Sequence, residues 1–253
     1  MIDSVLMTKE NEKLFSKLCK KVGYSLGKYK LVEPDDKIMI GVSGGKDSLF
    51  LLEALADRKK HLPFSFTMIA CHINVIEIGY KLKKNFLENL CQQNDIPYYY
   101  DEISVDLSAN QKKATCFVCS WHRRKRLFEL TKELNCNKLA LGHHMDDALE
   151  TLMMNMIYHG SISSMPASLK MFDGRLQLIR PLIELSNQET SEIANIRQYP
   201  KLKDECPHQD NNQRDKVRKL IEEMSLMNIH ARKNMFRSMD NFFDEYLPQR
   251  PKF

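Results

Sequence analysis

Ser43-Gly44-Gly45-Lys46-Asp47-Ser48 sets two glycines, a lysine, a carboxylate and two hydroxyls in consecutive positions. Glycines let a backbone approach an anion closely, and a helix that starts there turns its exposed amides toward negative charge. Lys46 adds a mobile cation, and Ser43 and Ser48 add hydroxyl donors. The spacing is not that of a Walker loop, which places its lysine after Gly-x4-Gly. A second block, Gly142-His143-His144-Met145-Asp146-Asp147-Ala148-Leu149-Glu150, crowds carboxylates at a helix start. Those carboxylates suit the helix dipole as ordinary first-turn residues. Asp146 or Asp147 could equally join Asp47 in holding Mg²⁺ against a triphosphate. A third set is thiolate: Cys116-Phe117-Val118-Cys119, and far along the chain Asp204-Glu205-Cys206-Pro207-His208. Cys-x-x-Cys spacing serves zinc, iron–sulfur clusters and dithiol chemistry alike. His208 beside Cys206 keeps a Cys3His zinc site open. Cys19, Cys71, Cys91 and Cys136 fall within expected helices and strands and read as small apolar fillers.

These residues need elements to place them. Leu14, Leu18, Val22 and Leu26 recur at helical spacing and predict a helix from Lys9 to about Tyr29. Lys37 to Ser43 is a short apolar run that predicts a buried strand, with a helix following over Lys46 to Arg58. Strands are expected at Phe64–Ile73, Tyr98–Ile103 and Lys138–Leu141, and helices at Tyr80–Asn94, Val118–Leu134 and Asp146–Tyr158. The alternation implies an α/β fold, a parallel sheet with helices on both faces. Ser161 to Arg180 reads as irregular, with an Asp173-Gly174 turn between two extended runs. From Asn187 onward the pattern is helical, interrupted by a loop over Tyr199–Asn212. The expected organisation is an N-terminal helix (1–30), a nucleotide-binding α/β domain (31–158) and a mostly helical C-terminal part (159–253).

The 253 residues are 43% hydrophobic and 28% charged, the composition of a globular domain. No window approaches the roughly 18 unbroken apolar residues of a membrane span. The start, MIDSVLMTKENEK, does not read as a secretory signal. No membrane partner and a cytoplasmic location are expected, and there disulfides rarely persist, so seven cysteines ask for another explanation. A formal charge of +5 permits an RNA partner without requiring one.

Ser-Gly-Gly-x-Asp-Ser resembles the pyrophosphate loop (PP-loop) of the N-type ATP pyrophosphatases at every specified position. That loop, the Cys-x-x-Cys-Ser opening a basic helix, the Gly-His-His-x-Asp-Asp block, Ile179-Arg180-Pro181-Leu182 and the late Cys206 together resemble the TtcA family of tRNA cytidine 2-thiolation proteins. The match runs from about Lys9 to Leu247. The resemblance implies an adenine nucleotide α-hydrolase-like fold and an ATP-dependent tRNA sulfurtransferase forming 2-thiocytidine at position 32. ATP would adenylate the C2 oxygen, sulfur would displace AMP, and pyrophosphate would be released. It further implies a [4Fe–4S] cluster on Cys116, Cys119 and Cys206 with one iron lacking a protein ligand. ATP would lie on Ser43, Gly44, Gly45, Lys46, Asp47, Ser48, Gly142, His143, Asp146 and Arg180. Sulfide or a cysteine desulfurase would supply sulfur, and the chain would pair as a homodimer. The sequence departs from the family where a second cysteine usually follows the third ligand: Cys206 is followed by Pro-His-Gln-Asp. Alternatives are a lysidine-synthetase-like adenylating enzyme and a non-catalytic, zinc-stabilised RNA-binding protein.

His122, Arg123, Arg124, Lys125 and Arg126 occupy consecutive helical positions and so point around the whole axis. Arg123, Arg124 and Lys125 are the candidates for RNA phosphate, adenylate or cluster charge. Lys170, Arg175, Lys201, Lys203, Arg214, Lys216, Arg218 and Lys219 extend the positive charge, giving the salt-dependent binding expected of a tRNA contact.

Overall fold

The computed structural model describes residues 9–78, 84–106, 115–200 and 212–247. α1 (Lys9–Lys28) buries Leu18, Val22 and Leu26, the stripe that its spacing predicts. β1 (Lys37–Gly41) is buried at every position after Lys37, as a strand covered on both faces must be. There follow α2 (Lys46–Lys59), β2 (Thr67–Val75), α3 (Lys84–Gln93), β3 (Tyr98–Ile103), α4 (Thr115–Glu133), β4 (Lys138–Ala140) and α5 (Met145–His159). Then come β5 (Ser168–Met171), β6 (Leu176–Ile179), α6 (Asn187–Ile196), α7 (Asn212–Met227) and α8 (Ala231–Ser238).

The six strands form one sheet in the order β3-β2-β1-β4-β6-β5. Every pairing is parallel except β5 with β6. The chain runs outward from β1 through β2 to β3, then crosses to β4 on the other side. β1 and β4 therefore flank a topological switch point, where open α/β sheets leave a crevice at the carboxyl ends of their strands.

Two compact units divide the chain: Met1–His144 with Pro166–Asp210, and Met145–Met165 with Asn211–Phe253. The division falls at His144, whereas the sequence suggested one near His159. Pairing supplies the reason. The two extended runs expected about the Asp173-Gly174 turn pair as the β5–β6 hairpin, and β6 aligns with β4, Leu178 against Leu139. That buries Leu176, Leu178 and Ile179 on the sheet and returns the chain to the first unit. The hairpin turns through Phe172, Asp173 and Gly174, all at positive φ.

In the second unit α5, α7 and α8 close around Met145, Leu149, Val217 and Ile221, with Met153, Met154, Met235, Phe236 and Met239 packed against them. Methionine suits such a core because its flexible thioether fills irregular gaps. No helix among the described residues is long and apolar enough to cross a membrane.

Candidate active site

The phosphate loop joins β1 to α2 at the carboxyl edge of the sheet. Gly44 turns the chain at φ +85°, a region closed to most side chains. The loop is braced by its own hydroxyls. Ser43 Oγ donates to Ser48 Oγ at 3.2 Å, and Ser48 Oγ donates to the Gly45 carbonyl at 2.8 Å. The Gly44 amide donates to Ser48 Oγ and the Gly45 amide to Ser43 Oγ, at 3.2 and 3.3 Å. Gly45 caps α2 in an extended conformation, so the helix directs its first amides toward the loop.

Lys46 does not hang in solvent. Its ammonium donates to Asp47 Oδ1 at 2.6 Å, Thr190 Oγ1 at 2.8 Å and Asn187 Oδ1 at 2.9 Å. The last two belong to α6, whose start is fixed by a capping box between Ser186 and Glu189. α6 is held on α2 by buried Glu53, which receives Arg197 and Tyr199. Asn187 and Thr190 form a part of the site that the sequence reading missed. Their signal was faint, since Ser-Asn-Gln-Glu reads only as a helix cap.

Gly142 ends the turn after β4 against the first turn of α2. A Cβ there would lie 3.0 Å from the Asp47 carbonyl carbon and from the Ser48 amide nitrogen. Backbone cannot yield as a side-chain tip would, so this contact requires glycine. Buried His144 brings Nε2 to 3.9 Å from Asp47 Oδ1. Two blocks far apart in sequence thus meet at the switch point. His143, between Gly142 and His144 in the chain, is half-buried. Arg180 follows β6, is buried, and donates from Nη1 to the Pro166 carbonyl at 2.5 Å.

His72 is a second omission. It is buried on β2, donates from Nδ1 to the Val42 carbonyl at 2.7 Å and stacks on Tyr100 at 5.9 Å. Burial, seconded by the nearby Arg123 charge, holds its pKa below the usual histidine range. The imidazole ties β2 to Val42, the residue just before the phosphate loop.

α4 begins at Thr115, so Cys116 and Cys119 occupy its first two turns. Cys119 is buried in an apolar cluster with Val75, at the end of β2, and Val105, just past β3. Cys206 and His208 lie outside the described residues. The four cysteines read as fillers are all buried. Burial pushes the thiols of Cys19, Cys71 and Cys91 up to about 12 and raises that of Cys136. Among the described residues no three His, Cys, Asp or Glu side chains gather into a metal cage.

Several charges are committed to packing. Asp146 and Asp147 open α5 in the second unit, where Asp146 accepts Arg232 Nε at 2.8 Å. Arg218 and Arg214, expected among the RNA contacts, pair with buried Glu150 at 2.9 and 3.3 Å. Arg126 is tied to Asp101 at 2.6 Å and Glu133 at 2.7 Å. Arg124 and Lys125 stay exposed, and Arg123 is half-buried.

A family model described as PP-loop domain matches residues 7–224. The tRNA-cytidine(32) 2-sulfurtransferase of Hahella chejuensis is 34% identical over 243 residues, 94% of this chain and 85% of that one. The protein of the same name from Paraburkholderia phymatum is 33% identical, over 94% of this chain and 72% of its own length. Among solved structures, the U34-tRNA thiolase NcsA from Methanococcus maripaludis, with its [4Fe-4S] cluster, shares the fold. The TM-score is 0.72 over 91% of this chain and 78% of that chain, at 22% identity. By sequence, this chain belongs to the PP-loop family and, within it, to the tRNA-cytidine(32) 2-sulfurtransferases.

Proposed function

We propose that the protein is an ATP-dependent tRNA thiolase that converts a cytidine, at position 32, to 2-thiocytidine. In that reaction the C2 oxygen attacks the α-phosphorus and pyrophosphate leaves. A sulfur nucleophile then adds at C2 and AMP departs with the former base oxygen. The observation that carries the reading is the meeting of Gly142 and His144 with Asp47 and Ser48 at the switch point. It supports a nucleotide whose phosphates lie on residues 43–48.

The residues present fit ATP. Gly44 supplies the positive φ of the turn, Gly142 leaves room where a Cβ would press on the α2 backbone, and α2 offers its amino end to phosphate oxygens. Lys46, steadied by Asn187 and Thr190, supplies charge to the leaving pyrophosphate. Asp47 is the Mg²⁺ ligand in this reading; such sites use one or two carboxylates beside phosphates and water. Asp146 and Asp147 remain Mg²⁺ candidates, and His143, Asp146 and Arg180 nucleotide candidates, on sequence order. The described thiol also fits a cluster, being a soft ligand shielded from water by Val75 and Val105. A [4Fe–4S] cluster on Cys116, Cys119 and Cys206 would present the sulfur nucleophile. Sulfide or a cysteine desulfurase would supply that sulfur, in the cytoplasm where tRNA is modified, and the chain would act as a homodimer.

The test is anaerobic purification with iron, sulfide and zinc determination, then incubation with tRNA, ATP, Mg²⁺ and sulfide. Mass analysis of the digested tRNA should find 2-thiocytidine only when ATP is present, with AMP formed in equal amount. Near-stoichiometric zinc without iron would remove the cluster; thiolation without ATP would remove the adenylation.

A further inference from the structure

A cleft of about 710 Å³ lies in the first unit between α4 and the β5–β6 hairpin. Its apolar surface includes Trp121, Phe128 and Phe172, and its rim carries Arg124, Lys125, Lys132 and Arg175. Trp121 and Phe172 expose 51% and 48% of their surface, high values for large apolar rings in a folded chain. Phe128 meets Phe172 edge to face at 5.6 Å, and Lys125 lies 5.8 Å from the Trp121 ring centre. Phe172 holds φ +53°, a costly conformation for a bulky residue. Arg175 Nε donates to the Phe172 carbonyl at 2.9 Å, which steadies both at the hairpin tip. Two carboxylates dilute the positive rim: Glu129, 3.9 Å from Lys125, and exposed Asp173, 3.8 Å from Arg175.

An aromatic floor bordered by more cations than anions has the chemistry of a single-stranded nucleic-acid platform. Bases stack on exposed rings while their phosphates meet the cations. The volume lies in the range of small-molecule pockets and admits a nucleotide. Position adds to this. Trp121, Arg124, Lys125, Phe128 and Lys132 recur at helical spacing, so one face of α4 forms this wall of the cleft. Arg126 and the β3 carboxylate Asp101 neutralise each other beside it, leaving Arg124, Lys125, Lys132 and Arg175 to set the sign of the rim.

We infer that this cleft is a docking surface for the substrate RNA, stacking an unpaired base on Trp121 and Phe172 and holding its flanking phosphates on Arg124, Lys132 and Arg175. The inference rests on tRNA being the substrate and adds where the RNA lies outside the reacting base.

Trp121 is the chain's single tryptophan, so its fluorescence reports this cleft alone. The full chain is titrated with unfractionated tRNA while Trp121 emission and filter retention are followed in parallel. Saturable quenching is expected, at the midpoint seen by retention. The Lys132→Glu/Arg175→Glu variant should raise both midpoints about 10-fold or more and flatten the salt dependence. Phe172→Ala should weaken binding by about 10-fold through lost stacking. Both variants should bind ATP as the parent does, which verifies their folding. Retention of tRNA with unchanged emission and no effect of charge reversal would overturn the cleft and leave the substrate reading standing. No retention would overturn both. Quenching by polyglutamate as strong as by tRNA would assign the surface to an acidic protein and overturn the RNA proposal.

Discussion

The phosphate loop and the cysteine-bearing start of α4 share the carboxyl edge of one sheet and are built in opposite ways. Around residues 43–48 almost everything is polar and mutually bonded: hydroxyl to amide, hydroxyl to carbonyl, ammonium to carboxylate. Cys119 sits in an apolar cluster with Val75 and Val105, against which Ile103 and Val118 pack. An anion site gains from fixed donors that need no rearrangement when charge arrives. A soft-ligand site gains from a dry shell that tunes the ligand and keeps water away. One sheet edge therefore offers hard and soft chemistry side by side, and His72 joins them, since β2 carries both its link to Val42 and the valine against Cys119.

Separating the two chemistries produces the largest expected effect. Cys119→Ser should abolish thiolated nucleoside, a loss of at least ~100-fold given that even residues supporting a metal ligand are worth 10–100. ATP binding, followed by equilibrium dialysis, should stay within about threefold of the parent. Lys46→Ala should do the reverse, lowering AMP formation by ~10²–10³-fold while iron and sulfide content remain unchanged. If Cys119→Ser lost ATP binding in parallel, the two regions would be one cooperative site and the contrast would fail.

The same contrast explains what the sequence disclosed. The phosphate loop is contiguous, and its glycines have one physical use in a strand-to-helix turn, so six residues told their chemistry. The alternation of strands and helices was legible for the same local reason. The β5–β6 hairpin was legible only as two extended runs about an Asp173-Gly174 turn, because four-residue strands show little periodicity and the pairing of β6 with β4 is not written locally. Asn187 and Thr190 were hidden because their role exists only once α6 packs on α2. For the thiols, spacing alone favoured zinc, and family resemblance rather than local physics turned the reading to a cluster. Arg214 and Arg218 looked like RNA contacts because a sequence shows charge and not Glu150 beneath it.

Smaller effects should follow from loosening the polar site. Gly142→Ala places a methyl 3.0 Å from the α2 backbone. Overpacking of this kind costs about 1–3 kcal/mol, so ATP affinity should fall at least fivefold and the melting temperature by a few degrees. Thr190→Val removes a buried acceptor from the Lys46 ammonium, a bond worth about 1.5–3 kcal/mol when one partner is charged. Freed Lys46 can still reach phosphate, so KM for ATP should change less than in Gly142→Ala. A Thr190→Ser variant, which restores the hydroxyl, should recover the parent value. A KM equal to that of Lys46→Ala would show α6 to be indispensable to the loop.

The smallest effect is a pH dependence carried by two neighbours on β2. Cys71 and His72 alternate across the sheet, and both are buried in forms without charge. Burial, then the Asp101 charge, lifts Cys71 to about 12 from an ordinary 9.0. Its contribution to stability is complete below pH 9 and is lost as pH rises through 12. His72 works at the other end. Its folded pKa lies below 6.5, so its contribution is present above pH 6.5 and disappears as pH falls through the folded value. Between pH 7.5 and pH 5 the melting temperature should fall by about 2–4 °C, the shift that ~1 kcal/mol makes in a domain of this size. His72→Gln, which can still donate an amide proton to the Val42 carbonyl, should remove that fall and retain ATP binding. An undiminished fall in the variant would place the acid sensitivity elsewhere and leave His72 as a purely geometric link between the polar and the apolar site.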